Sequence, residues 1–488
     1  MRTGGNRLAP ALAAALLACG EAAGPAPASP RIDFIDGALE PILERGRAVV
    51  IEGFGFGATQ GNGTITFARA DGGEVTAPVA APADWSDGAL RTTVPDSAVS
   101  GALAVTTAGG LRLVATVHVL PHVAFSPDTL SWKARGTFPE APVGVALAAA
   151  ETPSGSTVTT TLFAAGGAEQ IGLALVPDSG VYLAHATTGG VVGPWVRQRD
   201  ATDFTSRVLP APRAFAAVAL ATRYNSRFAG SALYVIGGIA ASGRAQASVL
   251  AADVTADSVA TRFTQIEPLP APVAGALAVV QRGRIYVIGG TDSVGHPQQN
   301  VFVGRIGLDG HIDGWYVQPP LPGPRAYGGA VVLADRAVAF GGVVDSVPPG
   351  GGLDPVTARL ASSDTAAVSL VSGFFTGSWM PGAALLPAGR SQFAILDLRD
   401  VVLLVGGMYA GAATNSAETI AGTVVGDSLG AFIGPVGPGG GSIGSQGGGT
   451  LVGPSGVTWR EADGSRRGLV IGGIDLSTGL REAGVWGF

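Results

Sequence analysis

The sequence predicts an all-β protein in which a small β-sandwich precedes a β-propeller of six blades. Three observations support this fold class. Only 14% of the 488 residues are charged, 47% are hydrophobic, and 76 glycines and 33 prolines interrupt the chain. Short apolar runs bounded by turn residues, which occur throughout, are typical of sandwiches and propellers. In the longer C-terminal part, an apolar run that ends in two glycines recurs six times.

Length, charge and cysteine content narrow the possible functions. A chain of 488 residues suits two or three domains. The formal net charge of −6 provides no basic surface, so nucleic acid is not an expected partner. Cys19 is the only cysteine, which excludes an intrachain disulfide, a cysteine-based metal cluster and a redox pair.

The N-terminus predicts an export signal over residues 1–18. Arg2 and Arg7 precede an apolar run, Leu8–Ala18, that is shorter than the roughly 20 residues needed to span a bilayer. A short positive segment followed by such a run is the pattern of a signal peptide. Residues 19–30 are rich in alanine, glycine and proline and are expected to form a flexible tether.

The end of this signal is the run Leu16-Leu17-Ala18-Cys19, which resembles the lipobox of bacterial lipoproteins. In that family the signal is cut before the cysteine and the thiol receives a diacylglycerol, so the resemblance implies lipidation of Cys19 and a membrane anchor in the cell envelope. Because Gly20 and not an aspartate follows, the family's sorting tendency implies the outer membrane, in a cell that has one. An ordinary signal peptide with a chance cysteine is the alternative interpretation.

Residues 31–120 predict the β-sandwich. An alternating strand pattern follows a tight turn of glycine and asparagine at 61–63. Further short motifs occur in order: Gly53-Phe54-Gly55-Phe56-Gly57, Trp85-Ser86-Asp87, Val94-Pro95 and Ser100-Gly101. The series resembles the IPT/TIG family of immunoglobulin-like domains, which implies a spacer or binding module. Trp85 is expected to fill the core between the two sheets.

Residues 123–488 contain the repeats that predict the propeller. Three consecutive glycine pairs are spaced by 52 residues, and proline-rich turns precede several of the repeats. The six pairs are Gly166-Gly167, Gly237-Gly238, Gly289-Gly290, Gly341-Gly342, Gly406-Gly407 and Gly472-Gly473. A tryptophan lies upstream of several turns, at Trp195, Trp315 and Trp379.

These features resemble the kelch repeat, in which four strands form one blade. The resemblance implies that the tryptophans pack between neighbouring blades. The glycine pairs are expected to let the second strand bend beside the inner strand. The sixth repeat stops at Phe488 after its third strand, so Thr129–Lys133 is predicted to supply the missing outer strand and close the ring.

No pattern of residues indicates catalysis, so the sequence predicts a protein that is not an enzyme and that has no cofactor and no metal site. His118 and His122 are close in sequence but lack a nearby acidic or sulfur partner for a metal. A kelch propeller joined to an immunoglobulin-like domain resembles the galactose oxidase family, which uses copper and a tyrosine cross-linked to a cysteine. The only cysteine here is Cys19, which argues against that chemistry.

Arg213, Arg325 and Arg390 are the candidate ligand-binding residues, because they occupy one repeat position between consecutive blades. Two interpretations stay open. The arginines line one mouth of the channel and hold an acidic ligand, or they bond carbonyl groups and tie blade to blade. Another repeat has Val273 at this position, so a ring of arginines is incomplete.

Together, these features predict a lipid-anchored binding or scaffold protein at the cell surface, with a protein or polysaccharide partner. The segments Val344–Thr357 and Met408–Glu418 follow glycine pairs, should emerge on the face of the arginine turns, and are expected to help bind the ligand. An extracellular carbohydrate-active enzyme of unknown chemistry and a structural component of an envelope assembly are the alternatives.

Overall fold

The structure is a computed structural model of the chain. It describes residues 29–488 apart from 40, 141, 172–173, 200–207, 222–230, 308, 334–335, 345–361, 372–373, 383–384, 410–417, 427, 438–442, 444–450, 476–479 and 482. The predicted signal and tether with Cys19 lie outside the described residues, as does most of both predicted binding loops. Within the described part, no helix is long and apolar enough to cross a membrane.

Eight strands form the N-terminal domain, and one 3₁₀ turn, Pro82–Asp84, lies among them. They are β1 (Arg31–Ile35), β2 (Ile42–Glu44), β3 (Ala48–Phe54), β4 (Thr64–Arg69), β5 (Glu74–Ala77), β6 (Ala89–Thr93), β7 (Ala98–Thr106) and β8 (Arg112–Leu120). One sheet has the order β1-β3-β6 and the other β2-β8-β7-β4-β5. β2 is parallel to β8, and the other pairs are antiparallel. The predicted sandwich is therefore present.

Trp85 lies in the core between these sheets, as expected. Its side chain is 2% exposed, and the indole N–H donates to the main-chain oxygen of Phe56 over 3.3 Å. Gly63 packs directly on the indole ring, where a Cβ would come within 2.8 Å of it. The glycine of the turn ahead of β4 is thus required by the close approach of the tryptophan.

The first half of the propeller follows a second 3₁₀ turn, Pro127–Thr129. Its strands are β9 (Lys133–Thr137), β10 (Ala146–Ser154), β11 (Thr157–Ala165), β12 (Ala168–Ile171), β13 (Ala174–Pro177), β14 (Val181–Thr187), β15 (Val191–Val192), β16 (Val196–Arg197), β17 (Ala217–Ala221), β18 (Ser231–Ile236), β19 (Val249–Val254), β20 (Thr264–Ile266), β21 (Leu277–Gln281), β22 (Arg284–Ile288), β23 (Val301–Ile306) and β24 (Ile312–Val317).

The second half has shorter additional strands between the main ones. Its strands are β25 (Gly329–Leu333), β26 (Arg336–Phe340), β27 (Thr365–Val371), β28 (Phe374–Gly382), β29 (Arg390–Ser391), β30 (Ala394–Asp397), β31 (Val401–Val405), β32 (Met408–Tyr409), β33 (Thr419–Val425), β34 (Ser428–Ile433), β35 (Leu451–Val452), β36 (Ser455–Arg460), β37 (Arg466–Ile471), β38 (Ile474–Asp475), β39 (Leu480–Arg481) and β40 (Gly484–Gly487).

Six antiparallel sheets repeat along this region, and they are the blades of a kelch-type propeller. Their strand orders, from inner to outer strand, are β10-β11-β14 with β15 and β16 outside, β17-β18-β19-β20, β21-β22-β23-β24, β25-β26-β27-β28, β30-β31-β33-β34 and β36-β37-β40-β9. An apolar cluster lies at each of the six junctions between neighbouring blades, including the junction of the sixth with the first. Each sheet therefore buries both faces, as the stacking of repeats requires.

The ring closes by the predicted exchange of an N-terminal strand, although the strand lies four residues further on. β9 pairs antiparallel with β40, with Lys133 opposite Gly487 and Thr137 opposite Gly484. The predicted segment Thr129–Lys133 instead packs a buried Leu130 against the junction of the fifth and sixth blades. The predicted bounds of the strand were wrong because the apolar side chains of Thr129–Lys133 are used for packing between blades. The strand that pairs with β40 is β9, which is polar and mostly exposed.

The tryptophans near the outer strands pack between neighbouring blades, which confirms that prediction. The indole N–H of Trp315 donates to the main-chain oxygen of Glu267 in the preceding blade over 3.0 Å, and that of Trp379 donates to Pro319 over 2.9 Å. Trp132 donates to the Thr419 hydroxyl over 3.0 Å. Trp132 therefore takes, in the sixth blade, the place that the other tryptophans take in theirs.

The glycine pairs make close contacts between neighbouring blades, a role in addition to the bend expected of them. In each pair the second N–H donates to a main-chain oxygen of the next blade, over 2.6 to 3.0 Å. The oxygens belong to Arg213, Val273, Arg325, Arg390, Leu451 and Pro142. A Cβ on the first glycine of any pair would lie closer than 3.0 Å to the same oxygen. The motif recurs because neighbouring main chains touch there and because both glycines have positive φ.

Candidate functional site

The propeller has two faces that differ in which connections they carry. The loops after the glycine pairs and the turns from one blade to the next lie on one face, which we call the Gly-Gly face. The turns between the inner strand and the second strand lie on the other, which we call the hairpin face. This assignment follows from the registers, since the start of each inner strand pairs with the end of the second strand, as Ala217 does with Ile236.

A closed ring of main-chain hydrogen bonds surrounds the propeller axis on the Gly-Gly face. Its members lie two residues before each inner strand, and each donates its N–H to the main-chain oxygen of its counterpart in the preceding blade over 2.8 to 3.1 Å. They are Gly144, Phe215, Gly275, Tyr327, Gln392 and Gly453. All six have positive φ, between 52° and 69°. The ring is continuous across the junction of the sixth and first blades.

Phe215 and Tyr327 fill the axial opening within this ring. Their rings meet edge-on with centroids 5.4 Å apart, and the residues are 9% and 7% exposed. Burial raises the pKa of the Tyr327 hydroxyl above its usual range. A wide, water-filled channel mouth would leave both aromatic rings exposed, so the side chains occupy the axis at this level.

Arg213, Arg325 and Arg390 lie beside the ring, inside the blade junctions. They are 6%, 8% and 0% exposed. Burial lowers the pKa of each guanidinium group. Buried cations of this kind are stable where their N–H groups are hydrogen-bonded. The structure therefore does not bring these three groups together on an open surface.

The bonds of these arginines match the structural interpretation. Arg390 donates from Nε to the oxygen of Gly406 over 2.7 Å and from Nη2 to that of Glu418 over 3.0 Å. Arg325 donates to the oxygen of Gly341. Arg213 donates to the Ser248 hydroxyl over 2.8 Å. Each side chain thus ties the loop of its own blade, while its main-chain oxygen accepts from the preceding blade. Ligand binding by the three arginines stays a prediction, which this geometry does not favour.

The sandwich covers the hairpin face. Gly37 lies directly on the turn at Arg282 and Gly283 in the third blade. On the other side, Arg47 pairs with Asp400 of the fifth blade. Glu44 of the sandwich pairs with Arg466 of the sixth blade, which lies opposite the third blade in a ring of six blades. The sandwich therefore bridges opposite sides of the propeller and lies across the axis on this face.

A buried ion cluster around Glu44 holds the sandwich to the sixth blade. The Glu44 side chain, at the end of β2, is 5% exposed and accepts from Arg466, whose side chain is 7% exposed. Nη1 of Arg460 lies 3.5 Å from the same carboxylate and donates to the oxygen of Ile42 over 2.8 Å. Arg460 also bonds Glu151 of the first blade over 2.8 Å. Charges at this depth are stable only with such partners.

The cluster shifts the pKa values of its members. Burial alone would raise the pKa of the Glu44 carboxyl, but Arg466, Arg460 and other nearby arginines outweigh burial and lower it. Burial lowers the pKa of Arg466 to about 10, although Glu44 opposes that change. Burial likewise lowers the pKa of Arg460, but Glu151 and Glu44 more than compensate and leave it raised. Glu44 is therefore held in its charged form.

The histidines occupy separate places. His122 lies between two carboxylates that are remote in sequence, with Nδ1 3.4 Å from Glu44 and Nε2 3.2 Å from Asp400. His296 lies 3.4 Å from Asp292 in an exposed turn. Within the described residues, no group of three or more histidine, cysteine, aspartate or glutamate side chains has the geometry to hold a metal ion.

The ion cluster was not found by sequence reasoning. Glu44 follows two apolar residues in β2 and is part of no motif, and its two arginine partners are more than 400 positions away. One signal was available. Arg460, Arg466 and Arg467 place three cations within eight residues of a chain that has few charges. Three arginines so close together predict an ion pair in this region, but they do not indicate which carboxylate forms it.

Comparison with known proteins gives a limited match. No family model matches the chain. A curated relative, beta-scruin of Limulus polyphemus, is 32% identical over 127 residues, which is 26% of this chain and 13% of beta-scruin. Beta-scruin is a kelch-repeat protein, and its similarity agrees with the all-β propeller. The match therefore spans only a small part of the length of this relative.

Proposed function

We propose that this protein is a lipid-anchored surface protein that binds a protein or polysaccharide partner on the Gly-Gly face of its propeller without transforming it. One observation supports this proposal above the others. The sandwich occupies the hairpin face, whereas the loops after the glycine pairs emerge on the opposite face. Variable loops on an open face of a rigid scaffold are the usual place for recognition.

The described loops on the Gly-Gly face carry exposed apolar side chains that a partner could contact. In the first blade, β12 and β13 form a hairpin, and Val176 on it is 42% exposed. In the third blade, Val294 is 46% exposed beside the Asp292 turn. Exposed apolar side chains framed by polar turns are favourable for association with a partner. The axis itself is filled by Phe215 and Tyr327, so binding would use the loops and not a channel.

The anchor sequence supports a consistent orientation. If Cys19 is lipidated, the sandwich lies between the membrane and the propeller along the chain. The Gly-Gly face would then point away from the membrane, toward partners. The general interaction role agrees with the kelch-repeat relative.

Binding can be tested with the full chain on an array of envelope polysaccharides and in co-purification from membrane extract. The variant Val176→Asp with Val294→Asp should lose any partner that the wild type retains. Val425→Asp is the control, because Val425 is 74% exposed and lies at the turn between the third and outer strands of the fifth blade, on the hairpin face. Equal loss in both variants would contradict binding on the Gly-Gly face, and turnover of a bound saccharide would overturn the assignment as a binding protein.

The anchor needs its own test. Cys19→Ser should abolish lipid attachment, because a hydroxyl replaces the thiol that accepts the diacylglycerol. Detergent partitioning and mass spectrometry of the mature N-terminus would measure it. A mature wild-type protein without acyl mass would contradict the lipid anchor and leave the binding proposal untouched.

A further inference from the structure

A pocket of about 440 Å³ lies where the segment between the two domains meets the sixth blade. This volume is within the range of small-molecule sites, about 300 to 1,000 Å³. Three parts of the chain build its walls: residues 123–135, the turn of the first blade at Gly189, and residues 465–467 with Phe488. It lies on the side of the hairpin face, remote from the Gly-Gly loops.

Positive charge dominates the lining of this pocket. Four cationic side chains line it, those of Lys133, Arg135, Arg466 and Arg467, and none of the lining side chains is a carboxylate. Lys133 is the only lysine of a chain whose net charge is −6. Arginine and lysine converging on one concave surface attract an anion, and they do so more strongly where the walls exclude water.

Two of these cations are already neutralised and two are not. Arg466 pairs with Glu44 of the sandwich, and Nε of Arg467 lies 3.1 Å from a carboxylate oxygen of Glu461. Within the described residues, Lys133 and Arg135 pair with no carboxylate. Arg135 donates from Nη2 to the oxygen of Gly189 over 3.2 Å, and its buried Nε has no partner there. Two cationic side chains of the pocket, Lys133 and Arg135, thus have no acidic side chain as a partner among the described residues.

The remaining lining combines apolar rings with hydroxyl groups. Phe125 and Phe488 are in contact with centroids 5.2 Å apart, and Leu130 is 1% exposed beside them. Ser126 and Ser131 contribute hydroxyl-bearing side chains to the lining. An apolar wall suits the carbon face of a sugar ring, while serine hydroxyls suit its polar edge.

The walls are held in place before any ligand binds. Trp132 contacts the Phe488 ring edge-on at 5.2 Å. The N–H of Gly190 donates to Glu461 over 2.9 Å, which ties the turn of the first blade to the sixth. The main-chain oxygen of Phe488 and an amino group of Arg135 both lie beside Gly190. A site that is already formed loses less entropy on binding.

We propose that this pocket binds an acidic saccharide, a short sugar chain that carries carboxylate groups. Lys133 and Arg135 bind the carboxylate, and the two phenylalanine rings bind the face of the sugar. The pocket is independent of the partner on the Gly-Gly face, because the two surfaces lie at opposite ends of the propeller.

Calorimetric titration of the full chain in detergent tests this proposal. The probes are trigalacturonate, its neutral methyl ester and inorganic phosphate. We expect trigalacturonate to bind about tenfold or more tightly than the ester, a difference of about 1.4 kcal/mol, and affinity to fall as salt is added. Lys133→Gln with Arg135→Gln should weaken binding about tenfold or more. Arg244→Gln with Arg305→Gln is the control of equal charge, at exposed positions outside the pocket.

A second variant guards against a loss of fold. Ser131→Trp fills the pocket without changing charge and should abolish binding, while thermal unfolding reports whether each variant stays folded. The proposal is wrong if trigalacturonate does not bind, if the ester binds equally well, or if the control pair weakens binding as much as the pocket pair. It is also wrong if phosphate binds as tightly as the saccharide, since charge alone would then account for the site.

Discussion

The ring of Phe215 meets the ring of Tyr327 edge-on at 5.4 Å, although the two residues belong to the second and fourth blades. They meet because the corresponding position of the third blade is Gly275. A Cβ there would lie within 3 Å of the Tyr327 ring, and a Cβ on Gly144 would do the same to Phe215. Large and small residues therefore alternate at these four positions of the ring, and the aromatic side chains occupy the space above the glycines.

Gly275→Ala tests this arrangement. Gly275 has a φ of 59°, and its added methyl group would collide with Tyr327. Strain from a left-handed backbone and overpacking together should lower the free energy of unfolding by about 2 to 4 kcal/mol, measured by urea denaturation. Gly155→Ala is the control, because Gly155 has a φ of 58° and open space around its Cβ position. It should cost only about 1 kcal/mol. Equal losses would show that the contact with Tyr327 is unimportant.

Glu44→Gln tests the docking of the sandwich. The substitution leaves Arg466 and Arg460 buried beside a neutral amide, so the free energy of unfolding should fall by about 3 kcal/mol. Limited proteolysis should at the same time begin to cut between the domains, near residues 121–128. Glu74→Gln is the control within the same domain. Its pair with Arg112 is over 40% exposed on both sides, so it should change little. An unchanged proteolysis pattern for Glu44→Gln would contradict the role of the cluster.

Acid should weaken the same contact. The pKa of Glu44 is lower in the folded state than in the unfolded state. At pH values between these two pKa values, the folded state therefore binds fewer protons than the unfolded state. The stabilisation from Glu44 is therefore fully present above the unfolded pKa, near 4.5, and is lost as pH falls through the folded pKa. Asp36 and Glu52 have raised pKa values because of burial and act in the opposite direction. The difference in urea midpoint between wild type and Glu44→Gln should thus shrink on acidification, and a constant difference would contradict this assignment.

Removal of β9 should open the ring. A chain that starts at residue 139 lacks the outer strand of the sixth blade and exposes the edge of β40, and unpaired strand edges promote aggregation. A chain that starts at residue 123 keeps β9 and should remain soluble with a cooperative transition. Light scattering and thermal unfolding compare the two truncations. Equal behaviour would show that the β9 pairing is dispensable.

Arg390→Gln separates the two interpretations of the arginine turns. The shorter side chain leaves the carbonyls of Gly406 and Glu418 without their donor in a buried site, which should cost about 2 to 4 kcal/mol of unfolding free energy. Arg305→Gln, at a side chain that is 63% exposed, is the control and should stay within about 0.5 kcal/mol. A stable Arg390→Gln protein with impaired partner binding would instead favour direct ligand contact.

The local pattern was sufficient to predict several elements of the fold. A glycine pair identified every blade in the sequence. Glycine is required at these positions because the main chains of neighbouring blades approach too closely there to admit a side chain. Trp85 and the outer-strand tryptophans were placed correctly, since large apolar side chains are buried wherever sheets pack. The closing strand was placed only approximately, because β9 is a polar edge strand with no apolar alternation of its own.

The sequence by itself determined the number of blades, the order of the two domains and the closure of the ring, since these follow from repeated local contacts. Only the tertiary structure decided which face the sandwich covers, which carboxylate neutralises Arg466, and that Lys133 and Arg135 share one pocket with Phe488. Those contacts join residues hundreds of positions apart, and an ion pair requires only opposite charges that are close in space. The spacing of residues along the chain therefore predicts neither the long-range contacts nor the partners in the ion pairs.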